Sequence, residues 1–197
     1  MHGNAHLPDD ELIYAFLAGD AAAMETLFLR YRKGVYSWLL RMVNDASEAE
    51  DIYQEVWGRI IRRAADYRPG NFRSWLWRIV RNVTTDRSRK MSPSLVLDAP
   101  IAVEGECAHT VLEQLSDDAA ADALEQMEEK ERKSMVRNAI ESLPVAQREV
   151  VLLRINGELS FREIAELLTL PVGTVLARMH HAVKSLKESL LKKGVLK

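Results

Sequence analysis

The chain has few of the sequence features that are typical of enzymes and membrane proteins, namely metal-binding clusters, catalytic motifs and long apolar runs. Its single cysteine, Cys107, excludes an internal disulfide and a multi-cysteine metal site, and its five scattered histidines lack the i,i+4 pair of a helical metal site. Apolar runs are too short to span a membrane, and the N-terminus is not a secretory signal. No phosphate-binding loop or nucleophile motif is present. We therefore expect a cytoplasmic protein that is not an enzyme and uses no cofactor.

The net charge of −2 conceals an uneven charge distribution. Residues 1–90 carry 14 basic and 12 acidic groups, residues 91–131 carry one and 11, and residues 132–197 carry 12 and six. An acidic segment between two neutral-to-basic blocks predicts two domains and a linker. We place these at 1–91, 92–131 and 132–197.

Apolar residues recur at three- and four-residue steps in both blocks, and no strand pattern of similar length appears. The predicted fold class is all-α, with two small helical domains joined by an acidic flexible linker. Helices are expected to begin after Asp20 and at a capping box formed by Ser47 and Glu50.

The segment 160–186 predicts two helices joined by a tight turn. Ser160 and Glu163 have capping-box spacing, Pro171 ends the first helix, and Thr174 is the expected N-cap of the second. Val175, Met179, Ala182 and Leu186 form the apolar side of that second helix. Its front would carry Ala177, His181 and Lys184, flanked by Thr174 and Arg178. This pattern suits a helix-turn-helix inserted into the DNA major groove, although a helical hairpin without DNA would show the same spacing.

A basic helix is predicted from Phe72 to about Lys90. Phe72, Trp75, Leu76, Ile79 and Val83 share its core arc, whereas Trp77, Arg78, Arg81 and Thr85 lie on the opposite arc, with Asn82 and Arg89 at its edge. An outward tryptophan beside arginines suits a nucleic-acid surface, where the ring stacks on an unpaired base. The alternative is a tryptophan covered by another helix beside solvated arginines.

The chain resembles the extracytoplasmic-function (ECF) group of sigma-70 superfamily sigma factors. The segments LFLRYRKGVYSWL, EAEDIYQEVWGRI and NFRSWLWRIVRNVTTDRSRK are similar to the promoter-melting domain of that family. The segment SLPVAQREVVLLRINGELSFREIAELLTLPVGTV is similar to its C-terminal domain. The resemblance covers nearly the whole chain.

The resemblance implies a function and the residues that perform it. The chain would bind core RNA polymerase, at the β′ clamp helices and the β flap, and direct promoter recognition, −10 melting and transcription initiation. Asp51, Gln54 and Glu55 would contact the clamp helices. The −10 single strand would meet Trp77, Arg78, Arg81, Asn82, Thr85 and Arg89, with Asn71 in the loop before them. The −35 duplex would meet Thr174, Ala177, Arg178, His181 and Lys184. An anti-sigma factor, often bound to the membrane in this family, is a further expected partner.

One residue departs from the family pattern. Leu176 stands where the family has a basic residue, so we expect weak or unusual −35 recognition with a shallow salt dependence. Two other functions stay open at this point. One is a helix-turn-helix regulator that binds DNA without core polymerase, and the other is a sigma-like decoy that cannot open promoters.

Overall fold

The computed structural model describes residue 4 and the ranges 6–91 and 123–193, where it consists of helices without strands. The N-terminal domain contains α1 (Asp9–Leu17), α2 (Ala21–Val43), α3 (Ala46–Arg63), a 3-10 turn (Ala64–Asp66) and α4 (Phe72–Met91). The C-terminal domain contains α5 (Ala123–Glu141), α6 (Val145–Ile155), α7 (Phe161–Leu168) and α8 (Val172–Lys192). The predicted all-α class with two helical domains is confirmed. Helix α5 begins within the predicted linker, of which residues 92–122, including Cys107, lie outside the described part.

The caps of the N-terminal helices follow from local backbone geometry. Asp20 accepts a hydrogen bond from the Ala22 backbone N–H at 3.0 Å, as expected for an N-cap. The capping box predicted at Ser47 is wrong. Asn44 ends α2 in the left-handed region (φ 60°), which leaves Asp45 extended, and its carboxylate accepts from the Glu48 N–H at 2.8 Å. An Asp in that conformation is an effective N-cap, so α3 begins one residue before Ser47.

The N-terminal domain packs α1 on α2, α2 on α3 and α3 on α4. Its core is aromatic as well as aliphatic, because Trp38, Trp57, Phe72 and Trp77 are all buried with the leucines and isoleucines. Two neighbouring carboxylates hold α1 in place. Asp9 bonds Arg30 and the Tyr31 hydroxyl of α2, and Asp10 accepts from the Tyr67 hydroxyl.

The C-terminal domain contains the predicted helix-turn-helix in α7 and α8. Ser160 and Glu163 form the predicted capping box, with Glu163 N–H to Ser160 Oγ at 3.2 Å and Ser160 N–H to Glu163 Oε2 at 2.7 Å. Thr169 ends α7 in the left-handed region (φ 54°). The prediction that Thr174 caps α8 is wrong. The helix starts at Val172 because Pro171 occupies the N-cap position, and the N–H of Thr174 already donates to the Pro171 carbonyl at 2.9 Å.

The two domains lie against each other. Helix α2 contacts α6, and α4 contacts α7, so that one cluster of buried apolar residues runs from the N-terminal domain into α6, α7 and α8. Within the described ranges, no helix has the length and apolar character needed to cross a membrane. No group of three or more His, Cys, Asp or Glu side chains in those ranges is arranged to hold a metal ion.

Candidate nucleic-acid interface

The loop 67–71 positions the start of α4. Gly70 adopts φ 145°, a conformation open to glycine but strained for other residues, and its N–H donates to Asp10 at 3.1 Å. Asn71 is the N-cap of α4, since its Oδ1 accepts from the Ser74 N–H at 3.0 Å. Burial first and then the Asp10 carboxylate raise the pKa of the Tyr67 hydroxyl well above its ordinary value, so Tyr67 remains a neutral donor to Asp10. The loop is therefore fixed to α1.

Trp77 is completely buried, so its predicted outward position is wrong. On one side its ring meets Trp38 of α2 edge to face, with ring centroids 5.8 Å apart. On the other side it meets the C-terminal domain. A Cβ placed on Gly157 would lie 3.0 Å from the indole. Trp77 is therefore covered, as the alternative interpretation of the sequence had it. Helix α2 and the turn after α6 cover it.

The polar residues predicted for −10 DNA divide into exposed and covered groups. Arg78 and Asn82 are exposed. Arg81 is partly covered, and its Nε bonds Glu149 of α6 at 2.9 Å. Thr85 is half-buried and donates its hydroxyl to the Arg81 carbonyl at 2.9 Å. The side chain of Arg89 lies outside the described part of the structure. Among the predicted −10 residues of α4 whose side chains are described, Arg78 and Asn82 are therefore the exposed ones.

The helix-turn-helix presents the predicted front. Val175 and Ala182 of α8 are buried and Met179 and Leu186 are half-buried, as the apolar stripe required. Ala177, His181 and Lys184 are exposed, with Thr174 and Arg178 half-buried at the flank. Leu176 is 46% exposed on the same helix. A large aliphatic side chain thus stands in solvent on the surface predicted to face DNA.

The polar face predicted for polymerase is exposed on α3. Asp51 accepts from Arg87 of α4 at 3.1 Å, and Glu55 accepts from Arg59 at 2.7 Å. The Arg59 guanidinium also reaches Asp86 at 3.4 Å. Gln54 lies between the two acids and donates to Glu50 at 3.4 Å. The face is therefore ordered by ion pairs that join α3 to α4.

Sequence reasoning missed the carboxylates that meet α4. Besides Glu149, these are Glu158, which bonds Arg73 at 3.1 Å, and Glu163, which accepts from Asn71 and from Ser74 at 3.0 Å. Burial opposes ionisation of Glu163, but hydrogen bonds from Ser160, Ser74 and Asn71 outweigh it and lower the pKa of that carboxyl. The capping box identified Glu163 as a helix residue, but no pattern in the sequence indicates that it also contacts the other domain.

Comparison with known proteins gives matches for both domains. Residues 27–92 match the model of Sigma-70 region 2, and residues 133–186 match that of Sigma-70, region 4. The chain is 34% identical to the ECF RNA polymerase sigma factor SigW of Bacillus subtilis, over 87% of this chain and 91% of that protein. It is 31% identical to the ECF RNA polymerase sigma-E factor of Escherichia coli, over 89% of this chain and 91% of that one.

Solved structures support the same fold. The structure of CnrH in complex with the cytosolic domain of CnrY is similar with a TM-score of 0.62, at 20% identity, over 92% of this chain and 96% of that one. The sigma factor RpoE of Bartonella quintana, in complex with the anti-sigma factor NepR, gives 0.63 at 19% identity, over 84% and 95%. With both region matches and relatives above 30% identity along most of its length, the chain belongs to the ECF sigma factors of the sigma-70 family.

Proposed function

We propose that this chain binds core RNA polymerase and directs it to promoters through two DNA-reading helices, α4 for the −10 element and α8 for the −35 element. The observation that carries this assignment is the pairing, in one chain, of a basic α4 with free Arg78 and Asn82 and a helix-turn-helix with an open front. A regulator that acts without polymerase would not need the N-terminal domain. A decoy would not need the exposed polar edge of α4.

The −10 assignment includes Asn71, Trp77, Arg78, Arg81, Asn82, Thr85 and Arg89. Arginine guanidinium groups contact phosphates, and an indole stacks on an unpaired base, so the residue types fit single-stranded DNA. Arg78 and Asn82 are accessible as the chain stands, whereas Trp77 requires a change in its surroundings. These two residues would therefore make the first contacts with the strand.

The −35 assignment includes Thr174, Ala177, Arg178, His181 and Lys184 in the major groove. Leu176 adds no charge to this surface, so binding would rest on two cations and a histidine. Each missing phosphate contact lowers the number of counterions released, which makes duplex binding weaker and less sensitive to salt.

Asp51, Gln54 and Glu55 would form the polymerase contact on α3. Their exposure and the ion pairs beneath them support a preformed polar surface that the β′ clamp helices would meet. The C-terminal domain would contact the β flap. In this proposal residues 1–91 and 132–197 are the two functional units, and 92–131 is the tether that adds their affinities through effective concentration.

The chain would act in the cytoplasm at the nucleoid, without catalytic activity of its own. An anti-sigma factor is a proposed partner, which would hold the chain at the membrane if that factor is itself membrane-bound. The similarity in fold to the sigma factor RpoE, which was solved with the anti-sigma factor NepR, supports a surface of this kind.

Run-off transcription with core polymerase and a promoter library tests the function. New start sites that share spaced −35 and −10 sequences are expected only when the chain is present. Arg78→Ala and Asn82→Ala should abolish most of this activity, whereas Arg63→Ala, which removes an exposed arginine at the end of α3, should not. Trp77→Ala is a poor first test because the ring is buried and its loss would disturb folding. Polymerase binding without new starts would instead favour a decoy.

A further inference from the structure

The side chain of Leu176 stands in solvent beside the front of α8 that the proposed function assigns to the −35 duplex. It is 46% exposed, and Val172, one turn earlier on the helix, is 41% exposed. Leu176, His180 and Lys184 are spaced at i, i+4 and i+8, so they follow one row of the helix surface, and that row ends on the front. The exposed aliphatic side chain is therefore continuous with the surface assigned to DNA.

The direction of the Leu176 side chain favours contact with base edges. In an α-helix the Cα–Cβ bond tilts toward the N-terminus, so Leu176 leans toward the start of α8. The N-terminal residues of the second helix are the ones that reach base edges in a helix-turn-helix. Gly173, three positions earlier, has no side chain, and a Cβ placed there would meet nothing within 4 Å. The neighbouring glycine thus leaves room for a base to approach the leucine.

The major groove of DNA offers one group that an aliphatic side chain binds favourably. Base edges there present hydrogen-bond donors, hydrogen-bond acceptors and the C5-methyl group of thymine. Leucine makes no hydrogen bond to a phosphate or to a polar base edge, and covering such a group without a partner is unfavourable. Packing against the thymine methyl group instead removes apolar surface from water on both molecules. The chemistry of the exposed side chain therefore selects thymine.

The charges of α8 favour DNA over a protein as the occupant of this surface. From its start at Val172 through Lys187, the helix contains Arg178, Lys184 and Lys187 and no acidic residue. It thus combines an exposed apolar patch at its start with cations further along. A major groove has methyl groups on its floor and phosphates along its walls, so it matches both features. An aliphatic protein surface would match only the apolar patch.

We propose that Leu176 is a specificity-determining residue that packs against the C5-methyl group of a thymine in the −35 element. This proposal rests on the proposed function, since it assumes that α8 binds the −35 duplex. The contact displaces no counterion, so it contributes to affinity and to base selection but not to the salt dependence of binding. An arginine at the same position has a longer side chain, which would pass the methyl group and reach the backbone. Leucine thus replaces a charge that binds any sequence with a side chain that selects one base.

Replacement of single thymines in the −35 element by deoxyuridine tests the contact, because uracil lacks only the C5-methyl group. Fluorescence anisotropy measures the affinity of the full chain for a short labelled duplex that carries the −35 sequence from the run-off experiment. We expect a thymine at which the replacement weakens binding about fourfold, which corresponds to about 0.8 kcal/mol for one buried methyl group. The slope of log K against log salt should not change with that replacement. Run-off transcription at limiting polymerase from the substituted promoters gives the same comparison in the presence of core polymerase.

Leu176→Ala assigns the methyl contact to this residue. The variant should bind the thymine duplex about fourfold more weakly than the unmodified chain and should not distinguish it from the deoxyuridine duplex. Leu191→Ala is the matched control, because it shortens an exposed leucine on the same helix about 22 Å further along its axis. It should retain the full difference between the two duplexes. Losses that simply add in Leu176→Ala overturn the contact, as does a −35 element composed only of G·C pairs.

Failure of the inference is distinguishable from failure of the proposed function. Lys184→Ala should weaken duplex binding and reduce the salt slope by about 0.9, whether or not Leu176 contacts a base. If that loss occurs without coupling between Leu176 and a thymine, α8 binds DNA but the leucine does not select a base. If Leu176→Ala lowers run-off transcription while duplex affinity is unchanged, the leucine contacts protein instead, and the inference is overturned. If the chain gives neither new start sites nor duplex binding, the proposed function is wrong, and the inference is overturned with it.

Discussion

Helices α4 and α8 have similar sequence patterns but different surroundings. Each has an apolar stripe against its own domain and a front assigned to DNA. The front of α8 is open, with Ala177, His181 and Lys184 exposed. On the front of α4, by contrast, Trp77 is buried and Arg81 bonds Glu149 of the other domain, while Arg78 and Asn82 remain exposed. Hydrophobic periodicity shows which face of a helix packs against its own domain. It does not show that another face of the same helix contacts residues from a distant part of the chain.

The side chains on the two fronts explain why that of α4 is partly covered and that of α8 is open. The front of α4 carries Trp77, whose large ring stabilises the folded chain when it is removed from water. The front of α8 carries small and charged side chains that gain little from a cover. Leu176 is a large apolar side chain in the first turns of α8 that remains 46% exposed in the described part of the structure.

Alanine substitution at the two fronts gives the largest expected difference in the free energy of unfolding. Trp77→Ala should lower the free energy of unfolding by about 3–5 kcal/mol, because it removes a fully buried ring and leaves a cavity. Leu176→Ala should change it by no more than about 0.5 kcal/mol, because the side chain is already half in solvent. Urea unfolding followed by circular dichroism measures both. Equal effects would show that the two fronts do not differ in cover.

Glycine substitution sharpens the same comparison with a smaller effect. Gly157→Ala should destabilise the chain by about 1–3 kcal/mol, because its Cβ would meet a backbone carbonyl oxygen and the Trp77 ring. Gly173→Ala at the start of α8 has no neighbour within 4 Å and should stabilise by about 0.4–1 kcal/mol. The melting temperatures should therefore shift in opposite directions. A rise for Gly157→Ala would contradict the close approach of the domains.

Local features were predictable from the sequence where one segment contains all of the information. The Ser160–Glu163 capping box, the Asp20 cap and the apolar stripe of α8 were all predicted, since each depends on residues a few positions apart. The start of α8 was missed because Pro171 supplies the N-cap position itself and Thr174 lies within the helix.

Long-range features were not predictable in the same way. The bond from Arg81 to Glu149 joins residues 68 positions apart, and that from Ser74 to Glu163 joins residues 89 apart. Nothing in the local pattern of either partner encodes such a pair. Asp10, in the first turn of α1, likewise accepts from Tyr67 and Gly70 in the loop before α4, which lie 57 and 60 positions away. The sequence identifies the candidate residues of α4, but it does not predict which of them are accessible to solvent.

An added cation tests whether the α8 front is an incomplete DNA surface. Leu176→Arg should raise the affinity for −35 duplex and steepen the slope of log K against log salt by about 0.9, the value for one further phosphate contact. Leu191→Arg is the matched control, because it makes the same change at an exposed leucine on the same helix, about 22 Å further along its axis. Fluorescence anisotropy at several salt concentrations measures both slopes. An unchanged slope for Leu176→Arg would mean that this position does not face the DNA backbone.

The smallest expected effect is a pH response confined to the covered front. The pKa of Glu163 is lowered in the folded chain, so its ionised form contributes stability above its unfolded pKa, about 4.3, and this contribution is lost as the pH falls through the lower folded value. Quenching of the Trp77 fluorescence by acrylamide, taken as the difference from a Trp77→Phe protein, should therefore increase below about pH 4.3. The helical circular dichroism signal should still be intact at that pH. Glu163→Gln should flatten that response, because the amide does not titrate, and Glu166→Gln on the exposed side of α7 should retain it. An identical response in the Glu163→Gln protein would show that another group controls the contact, and that the carboxylate serves only to cap α7.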